Sequence, residues 1–345
     1  MDRYHRQTLL PFIGEAGRDR LSASRVLLVG CGALGSVIAD QLVRAGLGEL
    51  IIADRDVVEM TNLQRQVLFD EQDARDGVPK AVAAPRRLAA VNSTVRIEPR
   101  VVDVHSGNIE ALAGLEAGGT RVDLILDGTD NAQTRYLVND VAVKHGVPWV
   151  YGACVGADGR VMSVRPGVGP CLRCVFPVPP SAGELPTCDT AGVLASATAV
   201  VASMQVVASL KLLLGASLAD DRLLAMDLWN GRFRSIAADR QEHCVCCTQR
   251  QFEFLDRPIE QSAIQLCGQN AVQIRAERGE RIELKALAER LTPLGHVTVT
   301  DFLVRCRPTQ ERGVQLTVFA DGRTVVQGTS DPSRARILVS RYVGL

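Results

Sequence analysis

The chain has 345 residues, of which 46% are apolar and 23% charged. That is ordinary for a soluble globular protein and long enough for one large α/β domain with a smaller companion. Lys plus Arg and Asp plus Glu number 39 each, so the formal net charge is zero. No global field draws in nucleic acid or an anionic membrane surface, and any phosphate must be held by local geometry.

The opening residues, Met1-Asp2-Arg3-Tyr4-His5-Arg6-Gln7, lack the apolar core of an export signal, so a cytoplasmic location is expected. There, ten cysteines point to metal binding or chemistry before disulfides. Arg25 to Val29 reads as a short strand feeding a glycine turn, Gly30-Cys31-Gly32-Ala33-Leu34-Gly35. A helical pattern follows from Ala33 to Ala45, and a second strand, Glu49 to Ala53, closes at Asp54. This β-turn-α-β unit should be connected right-handedly. Pro79 is expected to open the next helix, which reaches Val91. Val95 to Pro99, Val122 to Leu126 and Val147 to Tyr151 read as strands, with a helix from Asn131 to His145. The alternation predicts an α/β fold with a doubly wound, mostly parallel, Rossmann-like sheet.

Beyond Gly152 the texture changes. Arg160 to Arg165 reads as an antiparallel strand after a turn at Asp158-Gly159, and 167–186 as an extended loop. The stretch Thr190 to Leu210 carries no charge, contains Gln205 and runs into Lys211; its length would permit a membrane span, but its Ala- and Ser-rich texture favours a buried core or interface helix. Leu223 to Leu228 and Phe233 to Ala237 extend the sheet. A first domain is therefore drawn over 1–257 and a small C-terminal α+β module over 258–345. In the latter, Leu284 to Leu291 reads as an amphipathic helix and Pro332 to Tyr342 as a last helix. Gln315 to Phe319 and Thr324 to Gln327 form a hairpin around Asp321-Gly322.

The chemistry is carried by a few residues. Gly30, Gly32 and Gly35 fit G-x-G-x-x-G between a strand and a helix, where backbone N–H groups approach phosphate. Asp54 lies where a carboxylate accepts ribose hydroxyls. That pattern is shared by NAD, FAD and ATP users, and Arg65 and Lys80 are the features that discriminate. A dinucleotide dehydrogenase needs no pair of cations just after its second strand. An enzyme that breaks the α–β phosphate bond of ATP does, because negative charge accumulates on the phosphorus oxygens and the leaving pyrophosphate. Either cation alone fits a solvated surface charge; together with Asp54 and Asp130 they describe a site. Asp130 suits Mg²⁺, which takes one or two carboxylates plus substrate phosphates. Asn62 and Asn131 are candidate donors or acceptors around the nucleotide.

On these residues the chain resembles the MoeB/ThiF/HesA group of adenylating enzymes, related to ubiquitin-activating enzymes. The matching elements are Arg3 to Gln7, Gly30 to Gly35, Asp54-Arg55-Asp56, Asn62-Leu63-Gln64-Arg65-Gln66, Lys80, Asp127-Gly128-Thr129-Asp130-Asn131 and Thr187-Cys188-Asp189-Thr190-Ala191-Gly192-Val193. They run in order from Arg3 to about Thr248. The resemblance implies that residues 1–257 form an ATP-binding adenylation domain for a ubiquitin-like sulfur-carrier protein ending in Gly-Gly, of molybdopterin or thiamine type. The carrier carboxylate would attack the α-phosphate to give acyl-adenylate and pyrophosphate.

The resemblance further implies that Arg65, Lys80, Asp56 and Gln66 lie at the nucleotide, that Asp130 is the Mg²⁺ residue, and that Arg6 reaches across a homodimer as an arginine finger. A C-terminal carboxylate, with a pKa near ~3.5, is already ionised at neutral pH, so the first step needs no general base. Cys188 matches the family's candidate acceptor cysteine; it would form a thioester or join an acyl-disulfide with a sulfurtransferase donor, although Asp189 beside it does not favour a thiolate. A nicotinamide-dependent oxidoreductase and a tRNA-modifying dehydratase of the same superfamily are the alternatives. The first leaves Arg65, Lys80 and the cysteine pairs without a task, and the pairs and Thr187-Cys188 point away from the second.

Cys171-Leu172-Arg173-Cys174 and Cys244-Val245-Cys246-Cys247 supply two C-x-x-C pairs, and four thiolates suit a closed structural Zn²⁺ site. The pairs are far apart in sequence, so zinc would clamp a loop to the end of the domain; the resembled family carries zinc at matching positions. Cys246 is an extra thiol, and the spacing alone leaves an exchange with its neighbours open. Cys31 and Cys154 read as packed thiols. Cys306 and Arg312 satisfy C-x5-R, but Pro308 and Glu311 between them suit no anion loop, and chance is preferred. The tail resembles no sulfurtransferase domain; docking of the carrier or a downstream partner is its expected role.

Overall fold

The structure is a computed structural model and describes residues 3–180, 188–216, 222–257, 264–266, 270–274 and 282–344. The expected loop beyond 180, Thr187 and the boundary near Pro258 lie outside the described residues. The chain divides into two compact units, Met1–Arg75 with Pro79–Ile259, and Asp76–Val78 with Glu260–Leu345.

In the first unit the strands are β1 (Arg25–Val29), β2 (Glu49–Asp54), β3 (Arg96–Val101), β4 (Leu124–Asp127), β5 (Trp149–Val155), β6 (Asp158–Val164), β7 (Arg222–Asp227) and β8 (Arg232–Ala237). They form one sheet in the order β3-β2-β1-β4-β5-β6-β7-β8. The five strands from β3 to β5 are parallel and the rest antiparallel. The expected doubly wound α/β sheet with an antiparallel extension is thus present. Val26, Leu27, Leu28 and Val29 are all buried, as a parallel strand covered on both faces requires. β1 has β2 on one side and β4 on the other, so the strand order reverses there and opens a crevice at the carboxyl ends.

The Ala195–Leu214 helix is long and apolar enough to cross a membrane by length and composition. Here Ala197, Thr198, Val201, Gln205 and Ser209 are buried and the helix packs on β5 and β6. Its close seat explains one correction. Asp158 and Gly159 lie inside β6; the turn is at Gly156, whose φ of +61° is the left-handed value. Gly159 serves packing instead, since a Cβ there would come within 2.3 Å of Val201. Gly152 is alike, its absent Cβ leaving room for the Gln205 amide 2.2 Å away.

The second unit holds β9 (Ile264–Leu266), β10 (Ala271–Ile274), β11 (Gly295–Val299), β12 (Leu303–Pro308), β13 (Gln315–Phe319) and β14 (Thr324–Gln327). Their order is β11-β12-β13-β14-β10-β9, and every pairing is antiparallel. The Leu284–Leu291 and Pro332–Tyr342 helices pack on this sheet through Leu287, Leu291, Leu338 and Tyr342 against Val272, Val304, Leu316 and Val318. The hairpin and both helices match the sequence reading; β9 to β12 were not anticipated. Cys306 sits in β12 opposite Leu316, fully buried, and belongs to this core.

Candidate nucleotide site and cysteine centre

The crevice is built around the glycine turn after β1. Gly30 has φ +87°, and a Cβ there would lie 2.8 Å from the Gly128 backbone. A Cβ on Gly35 would lie 2.0 Å from the Gly30 carbonyl oxygen. These two glycines let the turn, the helix and the end of β4 touch. Gly32 differs: among the described residues, the one heavy atom within 4 Å of its missing Cβ is Gln66 Nε2, at 3.7 Å. It begins the Ala33–Ala45 helix with no side-chain cap bond, so the helix N–H groups face the opening, as phosphate binding requires. Gln66 is buried beside this opening and its Oε1 has no hydrogen-bond partner among the described residues, an orphaned acceptor that a ligand would satisfy.

Asp54 closes β2. Its Oδ2 accepts the Cys31 N–H at 2.6 Å and its Oδ1 the Asp56 N–H at 2.7 Å, so the carboxylate is fixed and each oxygen keeps a free lone pair for ribose. Burial pushes its pKa up, while Lys80 and the two backbone donors pull it down. Lys80 is buried, with Nζ 3.1 Å from Asp56 Oδ2. Burial alone would favour loss of its proton, but Asp56, Asp54 and Asp130 outweigh that and raise its pKa. It is therefore a cation at any physiological pH. Arg55 is held likewise: burial opposes its charge, and Asp56, Asp103, Asp130 and Asp54 favour it; its Nη1 is 3.1 Å from Asp103.

The structure thus brings Lys80, Arg55, Asp54, Asp56 and Asp130 into one electrostatic group at the crevice. Asp130 is exposed at its mouth, where a carboxylate is free to take a hard cation. Arg65 is partly buried, and its Nη1 donates to the Thr61 carbonyl at 2.9 Å, one turn back. No contact joins it to the Lys80 group among the described residues. Asn62 and Asn131 serve the backbone first. Asn62 Oδ1 accepts the Glu59 N–H at 3.1 Å, and Asn131 Oδ1 caps the Ala132–His145 helix through Gln133 and Thr134.

Sequence reading placed Asp127 in a matching motif without giving it a role, and missed Arg135. Arg135 Nε bonds Asp127 Oδ2 at 3.0 Å and its Nη2 bonds the Thr129 carbonyl at 2.6 Å. Asp127, which is buried, also accepts from Thr129 N and Oγ1, so this pair fixes the loop that carries Asp130. The i, i+4 spacing of Asn131 and Arg135 puts the two on one helix face, but it does not name Asp127, on a strand, as the partner.

Arg6 lies elsewhere. Arg3 Nη1 bonds the Val91 carbonyl and Gln7 Nε2 the Ala45 carbonyl, each at 2.9 Å, which seats the His5–Thr8 turn at the far end of the Ala33–Ala45 helix. That helix has 13 residues and is about 20 Å long, more than any side chain spans. Arg6 is exposed and has no partner among the described residues. The side chain of Cys188 lies outside the described residues; its backbone opens the short Cys188–Ala191 helix.

The Sγ atoms of Cys171, Cys174, Cys244 and Cys247 lie within 4.8 Å of one another. The shorter edges are Cys174–Cys247 3.4 Å, Cys171–Cys244 3.6 Å and Cys171–Cys174 3.9 Å. A tetrahedral tetrathiolate centre with ~2.3 Å metal–sulfur bonds has edges of about 3.8 Å, so the donor set fits Zn²⁺. Cys246 is committed elsewhere, donating to Asp140 Oδ1 at 3.3 Å and accepting from Asn139 Nδ2 at 3.2 Å, which removes the ambiguity of the extra thiol. Asn139 Oδ1 also holds the Leu172 N–H and Asp140 Oδ2 the Phe254 N–H. The two cysteine loops are therefore pinned to one helix.

A nucleotide-binding α/β unit with a buried lysine among carboxylates and a tetrathiolate centre is the class this geometry defines. The chain belongs to the ThiF family, which matches residues 4–248. It is 41% identical over 345 residues to the sulfur carrier protein ThiS adenylyltransferase of Bacillus subtilis (strain 168), with 99% of each chain covered. To the sulfur carrier protein adenylyltransferase of Thermus thermophilus it is 42% identical over 262 residues, covering 73% of this chain and 93% of that one. Among solved structures, E. coli MccB with ATP is similar in fold, with a TM-score of 0.61 over 71% of this chain and 74% of that one at 21% identity. These relatives do not favour the oxidoreductase or dehydratase reading.

Proposed function

We propose that this chain is an ATP-dependent adenylyltransferase acting on the C-terminal Gly-Gly carboxylate of a ubiquitin-like sulfur-carrier protein. The observation that carries the chemistry is Lys80, a buried cation held among Asp54, Asp56 and Asp130 at the strand-order reversal. The carrier class rests on likeness over the whole chain to an enzyme named for ThiS.

The helix N-terminus at Gly32 and the Gln66 amide receive the phosphates, and Asp54 the ribose. Lys80, and Arg65 after releasing the Thr61 carbonyl, take up the charge that builds on the phosphorus oxygens. A carboxylate oxygen of the carrier forms a bond to the α-phosphorus as the bond to pyrophosphate breaks; no proton moves. Asp130 would hold Mg²⁺, which when bound would neutralise phosphate charge. Cys171, Cys174, Cys244 and Cys247 would hold a structural Zn²⁺.

Arg6 cannot reach its own phosphate turn, so it serves the site of a second copy, and the working enzyme is a homodimer. The exposed Leu9 and Phe12 beside it supply apolar surface for that contact. Cys188 as acyl acceptor, a sulfurtransferase donor and a cytoplasmic setting complete the reading. The deciding experiment is carrier-dependent exchange of labelled pyrophosphate into ATP, run with thiamine-type and molybdopterin-type carriers. Exchange with neither carrier refutes the proposal.

A further inference from the structure

The segment Arg3-Tyr4-His5-Arg6-Gln7 is a set of pins with one cation left over. Arg3 and Gln7 tie it to the ends of two helices, as described. Tyr4 is the central pin. Its hydroxyl accepts from Asn92 Nδ2 at 2.7 Å, and its ring lies against Gly46, where an added Cβ would come within 2.7 Å of ring carbons. Gly46 has φ +86° and ends the Ala33–Ala45 helix in the left-handed conformation, which glycine adopts without strain. Arg18 covers the ring, its Cζ 5.7 Å from the centroid.

Asn92 is itself fully buried. It donates to the Val43 carbonyl at 2.8 Å and accepts from Thr94 N and Oγ1, so the socket does not depend on Tyr4 for its own shape. The Tyr4 carbonyl in turn receives the N–H groups of Gln7 and Thr8, starting the turn that displays Arg6. An exposed four-residue turn has almost no stability of its own. Its direction is set by what Tyr4 is bolted to.

We infer that Tyr4, seated in the Gly46–Asn92 socket, is the positioning residue for Arg6 and acts on the active site of the partner subunit rather than on its own. This rests on the proposed placement of Arg6 in trans. Two distinct outcomes separate the inference from that reading.

The test uses heterodimers made by co-expressing differently tagged full-length chains, read by carrier-dependent pyrophosphate exchange. As the control, chains carrying Arg6→Ala and Arg65→Ala are paired; one site then keeps its own Arg65 and receives an intact partner Arg6. Failure of this pair to regain exchange overturns the trans reading of Arg6. Next, Tyr4→Ala is paired with Arg65→Ala, and a Tyr4→Ala/Arg65→Ala double mutant with wild type.

Action in trans predicts that the first pair regains about half the wild-type rate per dimer, one of its two sites being complete, and that the second pair stays slow. The reverse pattern means that Tyr4 only supports its own fold, and overturns the inference while leaving Arg6 in place. The Tyr4→Ala homodimer should exchange about 10²-fold more slowly, the loss expected from an ångström of misplacement. Adding Tyr4→Ala to Arg6→Ala should slow exchange by less than about twofold further, since both act through one group. If Tyr4→Ala does not fold, Tyr4→Phe keeps the ring and loses the Asn92 bond. It should slow exchange with the same pairing pattern, and wild-type exchange by this variant overturns the inference.

Discussion

Replacing Lys80 by Met separates the chemistry of the crevice from its stability. The substitution keeps the volume of the buried stem and deletes the ammonium that sits 3.1 Å from Asp56. Removing one partner of a fully buried ion pair costs about 3–5 kcal/mol, but Asp56 is 54% exposed and turns to water. Asp54 keeps its two backbone donors. The expected loss of stability is therefore only about 1–2 kcal/mol, or a fall in Tm of roughly 2–8 °C for a unit of this size. Exchange should fall further, by about 10²–10³-fold, or about 3–4 kcal/mol, because a fixed charge aimed at developing negative charge is lost. Lys80 also holds down the pKa of Asp54 against its burial. Its removal raises that pKa, so the acid side of the exchange–pH profile should move to higher pH. The assay is pyrophosphate exchange at saturating ATP with a thermal melt of the same sample. Near-wild-type exchange in a folded variant would refute the argument.

Gly35→Ala should fail to fold or melt far below wild type, as its Cβ would meet a backbone carbonyl that cannot yield. Gly32→Ala should fold and raise KM for ATP, since its Cβ enters the space meant for phosphate; a melt and a binding titration distinguish the two. Zinc analysis should give about one ion per chain, and Cys247→Ser should lower both metal content and Tm, while Cys246→Ser leaves metal content unchanged. Removing residues 258–345 should leave adenylation chemistry in place and weaken carrier affinity; unchanged affinity would end the docking role given to the tail.

The parallel sheet was legible because its strands are uninterrupted apolar runs separated by helix-period segments, and because Gly30, Asp54 and Pro79 punctuate them. The turn before β6 was misread because two glycines stand near each other. Only Gly156 needs the left-handed backbone, whereas Gly159 answers to Val201 on a helix distant in sequence. β11 escaped notice because its side chains are largely exposed, and β12 because Arg305 and Arg307 break its short apolar run while Val304 and Cys306 face the core. At the site, Lys80, Asp54 and Asp130 were visible as charged residues at the ends of elements. The pairing of Asp127 with Arg135 was not, since an acid closing an apolar run and a base inside a helix show no sign of bonding until the chain is folded.

The Ala132–His145 helix has an Asx cap at one end and the Asn139–Asp140 pair two turns on, a separation of about 12–14 Å. It works as a short axle, with the Asp130 loop on one end and both cysteine loops bolted further along it. Damage at the sulfur end, by oxidation or chelation, would let that axle wobble and should be felt as weaker grip on the nucleotide. Metal content and ATP affinity ought then to decline together in an ageing preparation, although no bond connects them directly.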